Sequence, residues 1–428
     1  MSLTSQKGAG RPWPYGLCYF AVFAVYGIVS PYLQLLLQGL GYSPSLVGLF
    51  LSLFETVGII APLVISNSQK LSSRGRLVLF GTSLAVLLSL PGFALIRSPA
   101  ATALSVALLA IGVKTMVPFM DAESVSYLKS RAESGAKGRV SYGSLRVMGS
   151  IGFIFASFLF GRLSAEDQGK PEAISLAIGI TVVFLVLCLF SLPAHAGSRG
   201  GAAQPVRTAT PPAQTAVPPV QTATPAPQEA EQVRARRGAA RNFDPLFFLG
   251  LIIIALNRLA IVPATSFISL YVRDELRAND VGWLWSLSAA SEIPLMIFSS
   301  VIIGAIGPMA SVAIASGAVA LRLAICAFFP SVAGVAAGQL LHSLCFGLFY
   351  PAAVAFVAER VPEEKRPLGM ALFSGLAVGL PTVLGNALGG FVAEHLGYRT
   401  LFLSFIGFAI ASVLLYLFTA HKFTKRTI

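Results

Sequence analysis

Charge is what this chain of 428 residues has least of. Asp, Glu, Lys and Arg make up 11% of it, against roughly 25% in a soluble domain. So little charge cannot cover a water-facing surface of this size, which excludes an ordinary soluble enzyme or binding module. Cysteine is scarce as well. Cys18, Cys188, Cys326 and Cys345 lie in apolar stretches with no CxxC and no Cys/His spacing, so neither a disulfide framework nor a metal site follows, and they read as small apolar fillers. No GxxxxGK[ST] run cradles phosphates, which points away from ATP and towards an ion gradient as energy source. No apolar stretch carries HExxH or sets a nucleophile beside a base, so no enzyme activity and no cofactor are expected. A cleavable signal is missing too. The segment 1–14 is short and polar, and the apolar run 14–40 is too long for a signal core, so the first helix is expected to stay in the mature protein.

What is present is hydrophobic, at 55% of residues, in recurring stretches of the ~20 residues that a spanning helix needs. Hydropathy and the Gly, Pro and charged breaks predict twelve spans. The first six run near 14–39, 45–67, 77–96, 101–127, 142–163 and 172–193, the second six near 244–271, 280–304, 309–329, 332–358, 368–392 and 399–420. The segment 195–242 differs. It is rich in Pro, Ala, Thr and Gln, carries Arg234, Arg236, Arg237 and Arg241, and lacks the apolar residues for a core, so it reads as a disordered cytoplasmic linker. The predicted organisation is therefore two six-helix bundles, 1–193 and 243–428, joined by 194–242.

A net charge of +13 would suit nucleic acid, but its distribution argues otherwise. The bases sit in short segments between spans and so report topology. With the N-terminus inside, Lys70, Arg74, Arg76, Lys129, Arg131, Lys137, Arg139, the linker arginines, Arg360, Lys365, Arg366, Lys422, Lys425 and Arg426 are cytoplasmic. The other side keeps only Arg97, Arg162, Lys170, Arg273, Arg277 and Arg399. Both termini are expected in the cytoplasm of a multi-pass inner-membrane protein, acting as a monomer in contact with lipid.

The halves also echo each other. Val47-Gly48-Leu49-Phe50-Leu51-Ser52-Leu53 opens the second span, and Val281-Gly282-Trp283-Leu284-Trp285-Ser286-Leu287 opens the eighth. The frame V-G-x-x-x-S-L is shared, and Glu55 and Glu292 follow. At matching places in each half this supports a duplicated ground plan, as in secondary transporters.

Ionisable residues inside spans carry the functional signal, since each costs about 2.5–3.5 kcal/mol at mid-helix on insertion scales. They are Glu55, Lys114, Asp121, Glu123, Arg146, Arg258, Glu292, Arg322 and His342. Lys114 and Asp121, two helical turns apart with Pro118 between them, share a face. Glu123 falls on roughly the opposite face, nearer the cytoplasm, as a capping or interfacial carboxylate. Lys114 reads either as a site residue or as the structural partner of Glu55. Arg258 reads as an anion-binding group, or as the partner of Asp121 or Glu55. Three one-face stripes stand out: Tyr19, Phe23, Tyr26 and Ser30, a polar-aromatic stripe for packing or for a cavity wall; Arg258, Val262, Thr265 and Ser269, which looks like a wetted wall; and Gln339, His342, Phe346 and Phe349, whose histidine reads as structural or functional. Spans 3, 6, 11 and 12 lack a comparable charge, and at least three are expected to face lipid or pack structurally.

At these residues the chain resembles the major facilitator superfamily, and within it the branch of the lactose and phenylpropionate permeases. The likeness covers all but the linker. Tyr26-Gly27-Ile28-Val29-Ser30-Pro31-Tyr32 is similar to that branch's opening helix. The segment from Tyr142 to Phe153 resembles its Gly-Arg-x-Arg-x-x-Gly-Ser element, which places a substrate-holding role on Arg146 and leaves Ser144 where the first arginine would stand. Ser291-Glu292-Ile293-Pro294 resembles the family's substrate-binding glutamate of span 8. Arg322 and His342 match the spacing of its arginine and histidine used in proton coupling. The departures are specific. Cys345 replaces the proton-carrying carboxylate, Gln339 a lysine, and Arg258 appears where span 7 would carry aspartates. The loop signature after span 2 survives only as Gly75-Arg76, with Ser72 at its aspartate.

The resemblance implies an all-α polytopic membrane protein of major facilitator fold, with twelve transmembrane helices in two pseudo-symmetric six-helix bundles. The function expected is secondary active transport of a small polar or anionic organic solute by alternating access, as a proton symporter. The alternatives are a sugar, oligosaccharide or nucleoside proton symporter and a non-transporting receptor of the same fold. Arg146, Glu292, Tyr26, Lys114, Arg258 and Phe346 are the expected substrate contacts; Asp121, Glu292, Arg322, His342 and Glu55 are the expected proton-coupling groups.

Overall fold

Proline and serine start the helices, as missing donors and side-chain caps require. Pro44, Pro99, Pro171, Pro245 and Pro308 each occupy a first helical position. Ser98 caps Ala101, Ser331 caps Gly334, and Ser141 forms a reciprocal capping box with Ser144. Ser144, at the position of the family's first arginine, thus has a local task. In this computed structural model the described residues are 11–68, 71, 74–96, 98–134, 140–164, 167, 169–192 and 243–424. The expected linker, the terminal segments, and Lys70, Ser72, Arg97, Lys137, Arg139, Lys425 and Arg426 lie outside them.

The helices are α1 (Trp13–Gly39), α2 (Pro44–Asn67), α3 (Gly75–Ala94), α4 (Pro99–Glu133), α5 (Tyr142–Leu163), α6 (Pro171–Ser191), α7 (Pro245–Asp274), α8 (Gly282–Ile306), α9 (Pro308–Phe328) and α10 (Val332–Arg360). A last helical stretch, Glu363–Phe423, is 61 residues long. It breaks at Gly397, whose φ of 79° and ψ of 164° are non-helical, into 366–396 (α11) and 398–424 (α12). Eleven helices among the described residues are therefore long and apolar enough to cross a membrane, and the two parts of the eleventh cover the eleventh and twelfth predicted spans. No strand occurs among the described residues. Three π-helical segments interrupt the second half: Pro263–Phe267 in α7, Ser343–Leu348 in α10 and Phe373–Gly379 in α11.

The first six helices pack on one another, with α1 the most enclosed and set against α5 and α6, and α3 against α4. In the second half, Ser412 of α12 donates to Ile253 O of α7 and pairs with Ser316 of α9. Gly385 and Gly389 of α11 admit Val262 and Phe267 of α7. Apolar residues turn outwards on the four spans without central charge: Leu84 and Leu88 on α3, Leu176 and Ile180 on α6, Leu384 and Leu388 on α11, Leu414 and Leu417 on α12. In a bilayer such exposed leucines meet lipid rather than water.

The halves meet at the end of the molecule that holds the α1–α2 turn, away from the start of α1 and the end of α12. There Gln34 of α1 donates to Ser269 of α7 at 2.9 Å, and Gln38 donates to both carboxylate oxygens of Asp274 at 2.9 Å. The Ser45 amide at the start of α2 donates to Glu394 of α11. The repeated V-G-x-x-x-S-L frame forms the centre of this seam. Ser52 donates to Val383 O of α11 at 2.7 Å and to its own Gly48 O. Ser286 donates to Ile154 O of α5 at 3.1 Å and to its own Gly282 O. Gly48 lies on Gly390, and Gly282 on Gly161, so closely that a Cβ on any of the four would strike atoms of the other half.

Candidate functional site

Two turns of α4 and one face of α1 set the first half of the site. Asp121 accepts from Nη1 of Arg146 (α5) with both carboxylate oxygens at 2.9 Å and from the Tyr19 hydroxyl at 2.7 Å. Arg146 also donates to the Tyr142 hydroxyl at 3.0 Å, one helical turn back, and lies over the Phe23 ring. Two turns along α4, Lys114 pairs with Glu55 of α2 at 2.7 Å and sits over the Phe54 ring. The Tyr26 hydroxyl donates to Val113 O, the residue before Lys114. The α1 stripe is therefore one surface, its two tyrosines anchored on α4. Both ionic pairs stay in reach of solvent, with side-chain exposures of 26% and 24% for Lys114 and Glu55, and 34% and 20% for Arg146 and Asp121. Glu123 stands apart against Gly75 at the N-terminus of α3, where the helix dipole favours a carboxylate.

The second half is built around two buried arginines. Arg322 of α9 donates to Ala264 O in the π-segment of α7 at 3.2 Å, to Gln339 Oε1 and to His342 Nδ1 at 3.1 Å. A guanidinium has no acceptor capacity, so Nδ1 must accept and the neutral imidazole carries its proton on Nε2. That nitrogen faces Glu292 of α8 at 3.9 Å, beyond a hydrogen bond. Arg322 thus ties α9 to the π-segment of α7 and to the turn at which α10 becomes π-helical. Cys345, at the position of the family's carboxylate, is fully buried.

Arg258 differs from every other charged group of the site. It is 4% exposed, and its guanidinium lies 4.7 Å from the ring centre of Phe346, 4.8 Å from Phe349 and 5.5 Å from Tyr350. The sequence alternatives paired it with Asp121 or Glu55. Both carboxylates are taken, by Arg146 and Lys114. Among the described residues Arg258 has no carboxylate partner, and its Nε and Nη1 are buried without an acceptor.

The structure corrects one expectation. The α7 stripe is not a wetted wall, for Val262 and Ser269 are fully buried, the first against α11 and the second receiving Gln34 of α1 and Trp285 of α8. Of the α10 stripe, Gln339 and Phe349 are buried, whereas His342 and Phe346 are half-buried and stacked at 4.4 Å. Sequence reasoning missed Tyr142 and Tyr350, although each lies four residues from a named candidate and so on its face. It also missed Gln38, Asp274 and Glu394, polar residues at helix ends that pass for interfacial.

The chain is similar to several known transporters over most of its length. It is 24% identical over 312 residues to the uncharacterized transporter YwbF of Bacillus subtilis (strain 168), covering 72% of this chain and 68% of that one. It is 23% identical over 399 residues to a "Probable 3-phenylpropionic acid transporter" of Escherichia coli (strain K12), covering 89% and 91%. It is 24% identical over 418 residues to a maltose permease of Geobacillus stearothermophilus, covering 97% and 96%. Among solved structures, that of the nucleoside transporter NupG has the same fold, with a TM-score of 0.72 at 18% identity over 97% of this chain and 99% of that one. The model of the MFS_1-like family matches residues 12–404. The chain is a multi-pass membrane transporter and belongs to the MFS_1-like family.

Proposed function

We propose that the chain is a monomeric proton symporter carrying a small polar or anionic organic solute across the inner membrane by alternating access. The observation that carries this reading is the pairing of a sealed seam with accessible mid-span charge. Glycines and serines of the duplicated frame join the halves at one end, while Glu55, Lys114, Asp121, Arg146 and Glu292 keep 20–34% of their side chains exposed. Access to them then runs from the opposite end, and rocking the halves 1–193 and 243–428 about the site would reverse it.

In this reading Arg146, Glu292, Tyr26, Lys114, Arg258 and Phe346 line the substrate's place. Asp121, Glu292, Glu55, His342 and Arg322 form the coupling set. A carboxylate beside a base, partly desolvated, is the kind of group whose proton affinity changes with access. Uptake of labelled solute into proteoliposomes is expected to rise several-fold when an inward proton gradient is imposed, and to collapse with an uncoupler. Uptake indifferent to both would remove proton symport; solute binding with no uptake at all would favour a receptor. The sugar or nucleoside alternative draws on the maltose and NupG likenesses and would show as uptake of those neutral solutes.

Topology is tested separately. Arg74, Arg76, Lys129, Arg131, Arg360, Lys365, Arg366 and Lys422 fall, by the alternation of the spans, at the end where α1 begins and α12 ends, which the positive-inside rule assigns to the cytoplasm. With twelve spans and 194–242 as a cytoplasmic linker, tags at either terminus or within 200–231 should react only after permeabilisation. Labelling of any of them from outside intact cells contradicts the topology.

A further inference from the structure

We propose that Arg258 is the anion subsite of this carrier, and that its ligand is a planar carboxylate monoanion with a flat apolar body lying against Phe346 and Tyr350. The inference rests on the transporter reading above and adds to it the charge and shape of the substrate.

The case begins with what surrounds each mid-span cation. Lys114 and Arg146 are neutralised in place by Glu55 and Asp121. Arg322 is buried without a carboxylate, but Ala264 O, Gln339 and His342 accept its protons. Arg258 has neither kind of compensation, with two nitrogens buried and unaccepted. Aromatic rings do surround it, and cation–π contacts are worth roughly 0.5–2 kcal/mol. Removing an ion from water costs several kcal/mol even after relaxation, so the cage offsets part of that cost and leaves the N–H groups unmet. A buried cation in that condition is completed by an anion that comes and goes.

The chemistry of the anion follows from the fork and from the local charge. A guanidinium presents parallel N–H donors that match a planar carboxylate. By count, the mid-span groups of the second half are two arginines, Arg258 and Arg322, and one carboxylate, Glu292, an excess of one positive charge that a single negative charge would balance. A dianion would bring a second charge to a cavity whose other cations already have carboxylate partners or hydrogen-bond acceptors. The body of the ligand meets rings. Phe346 is half-buried and Tyr350 is 37% exposed, so both present surface to an incoming group, and neither ring face offers the acceptors that a sugar's hydroxyls require. Arg258 lies near the middle of its 30-residue span, at the depth where a substrate would be passed between the two sides.

The test uses the full chain in detergent and in proteoliposomes. Thermal shift and calorimetry compare benzoate and 3-phenylpropionate with their neutral primary amides, with the dianion terephthalate, and with a galactoside. The wild type should bind one or both monoacids at least ten-fold more tightly than the matching amide, and terephthalate and the galactoside no better than the amides. Arg258→Gln should lower acid affinity at least ten-fold, and Arg258→Lys should recover part of it. Tyr350→Ala should weaken the ring-bearing acids while sparing acetate-sized ones. Equal affinity for acid and amide in the wild type overturns the proposal without needing any variant to fold; so does undiminished acid binding by a monodisperse Arg258→Gln. Solute uptake that ignores Arg258 sinks this inference and leaves the transporter standing. Acid binding through Arg258 with no uptake keeps the subsite and sinks the transporter.

Discussion

Tryptophan at both Gly48 and Gly282 is expected to lower net transport at least 100-fold while ligand binding survives. The reasoning starts from the seam. Gly48 rests on Asn386 O and Gly390, Gly282 on Ser157 O, the Tyr32 hydroxyl and Gly161, and in each case the nearest atom met is a backbone oxygen of the other half, which cannot step aside as a flexible side chain would. Overpacking a close contact costs about 1–3 kcal/mol, and an indole exceeds the methylene insertions behind that range. Two such insertions disfavour the sealed seam by roughly 4–6 kcal/mol, which moves a two-state equilibrium about 10³-fold or more. The carrier is then held open at that end. A cysteine introduced at Ser269, buried in the wild type between Gln34 and Trp285, should become reactive to a membrane-impermeant maleimide. Either tryptophan alone should give a partial effect, because the other glycine pair still closes. A double variant that transports normally would show that the seam does not open during the cycle.

The frame that forms this seam was legible as a repeat, because Val, Gly, Ser and Leu recur at fixed offsets in both halves. Its meaning was not. A glycine reads as a break or a close approach, and only the partner helix tells which; Gly390 and Gly161 sit in segments that share no frame with Gly48 or Gly282. The spans themselves were readable for an energetic reason. A bilayer demands about 20 apolar residues at a stretch, and proline and serine mark where each helix begins. The break between α11 and α12 also fell where the sequence placed it, at a glycine free to take a positive φ. The three π-segments leave no periodicity that a hydropathy pattern detects, since one extra residue in a turn shifts the stripe without removing it.

The charged residues of the site were identifiable by their cost, but pairing was not. Lys114 and Glu55 are 59 residues apart in sequence, and nothing local selects Glu55 over Asp121 as partner. Arg258 shows the limit most clearly. Sequence alone allowed it either carboxylate, and the fold leaves it neither, because Arg146 reaches Asp121 from α5 with Tyr19 and Tyr142 in support. Tyr350 is what a more literal use of helical spacing would have added, one turn beyond Phe346 on the same face of α10.

Asp121→Asn should abolish gradient-driven accumulation, by at least ten-fold, while exchange of internal for external solute persists. Asp121 is the group in this site most completely surrounded by donors, two bonds from Arg146 and one from Tyr19. Taking a proton would release Arg146 from its partner, so protonation and the availability of that guanidinium are linked at one carboxylate. Without a titrating group no proton need accompany the solute, and net movement against the gradient fails; exchange requires no net proton movement and should continue. The variant should fold. Breaking a fully buried ion pair costs about 3–5 kcal/mol, but these side chains are 34% and 20% exposed, and solvent screening lowers the cost to roughly 1–2 kcal/mol. Glu292→Gln is the contrasting case. Its carboxylate faces His342, so it should fail both assays if it also holds solute. Glu55→Gln should act mainly through Lys114 and reduce binding more than coupling. Full gradient-driven uptake by the triple variant Glu55→Gln, Asp121→Asn, Glu292→Gln would remove carboxylate coupling from these helices altogether.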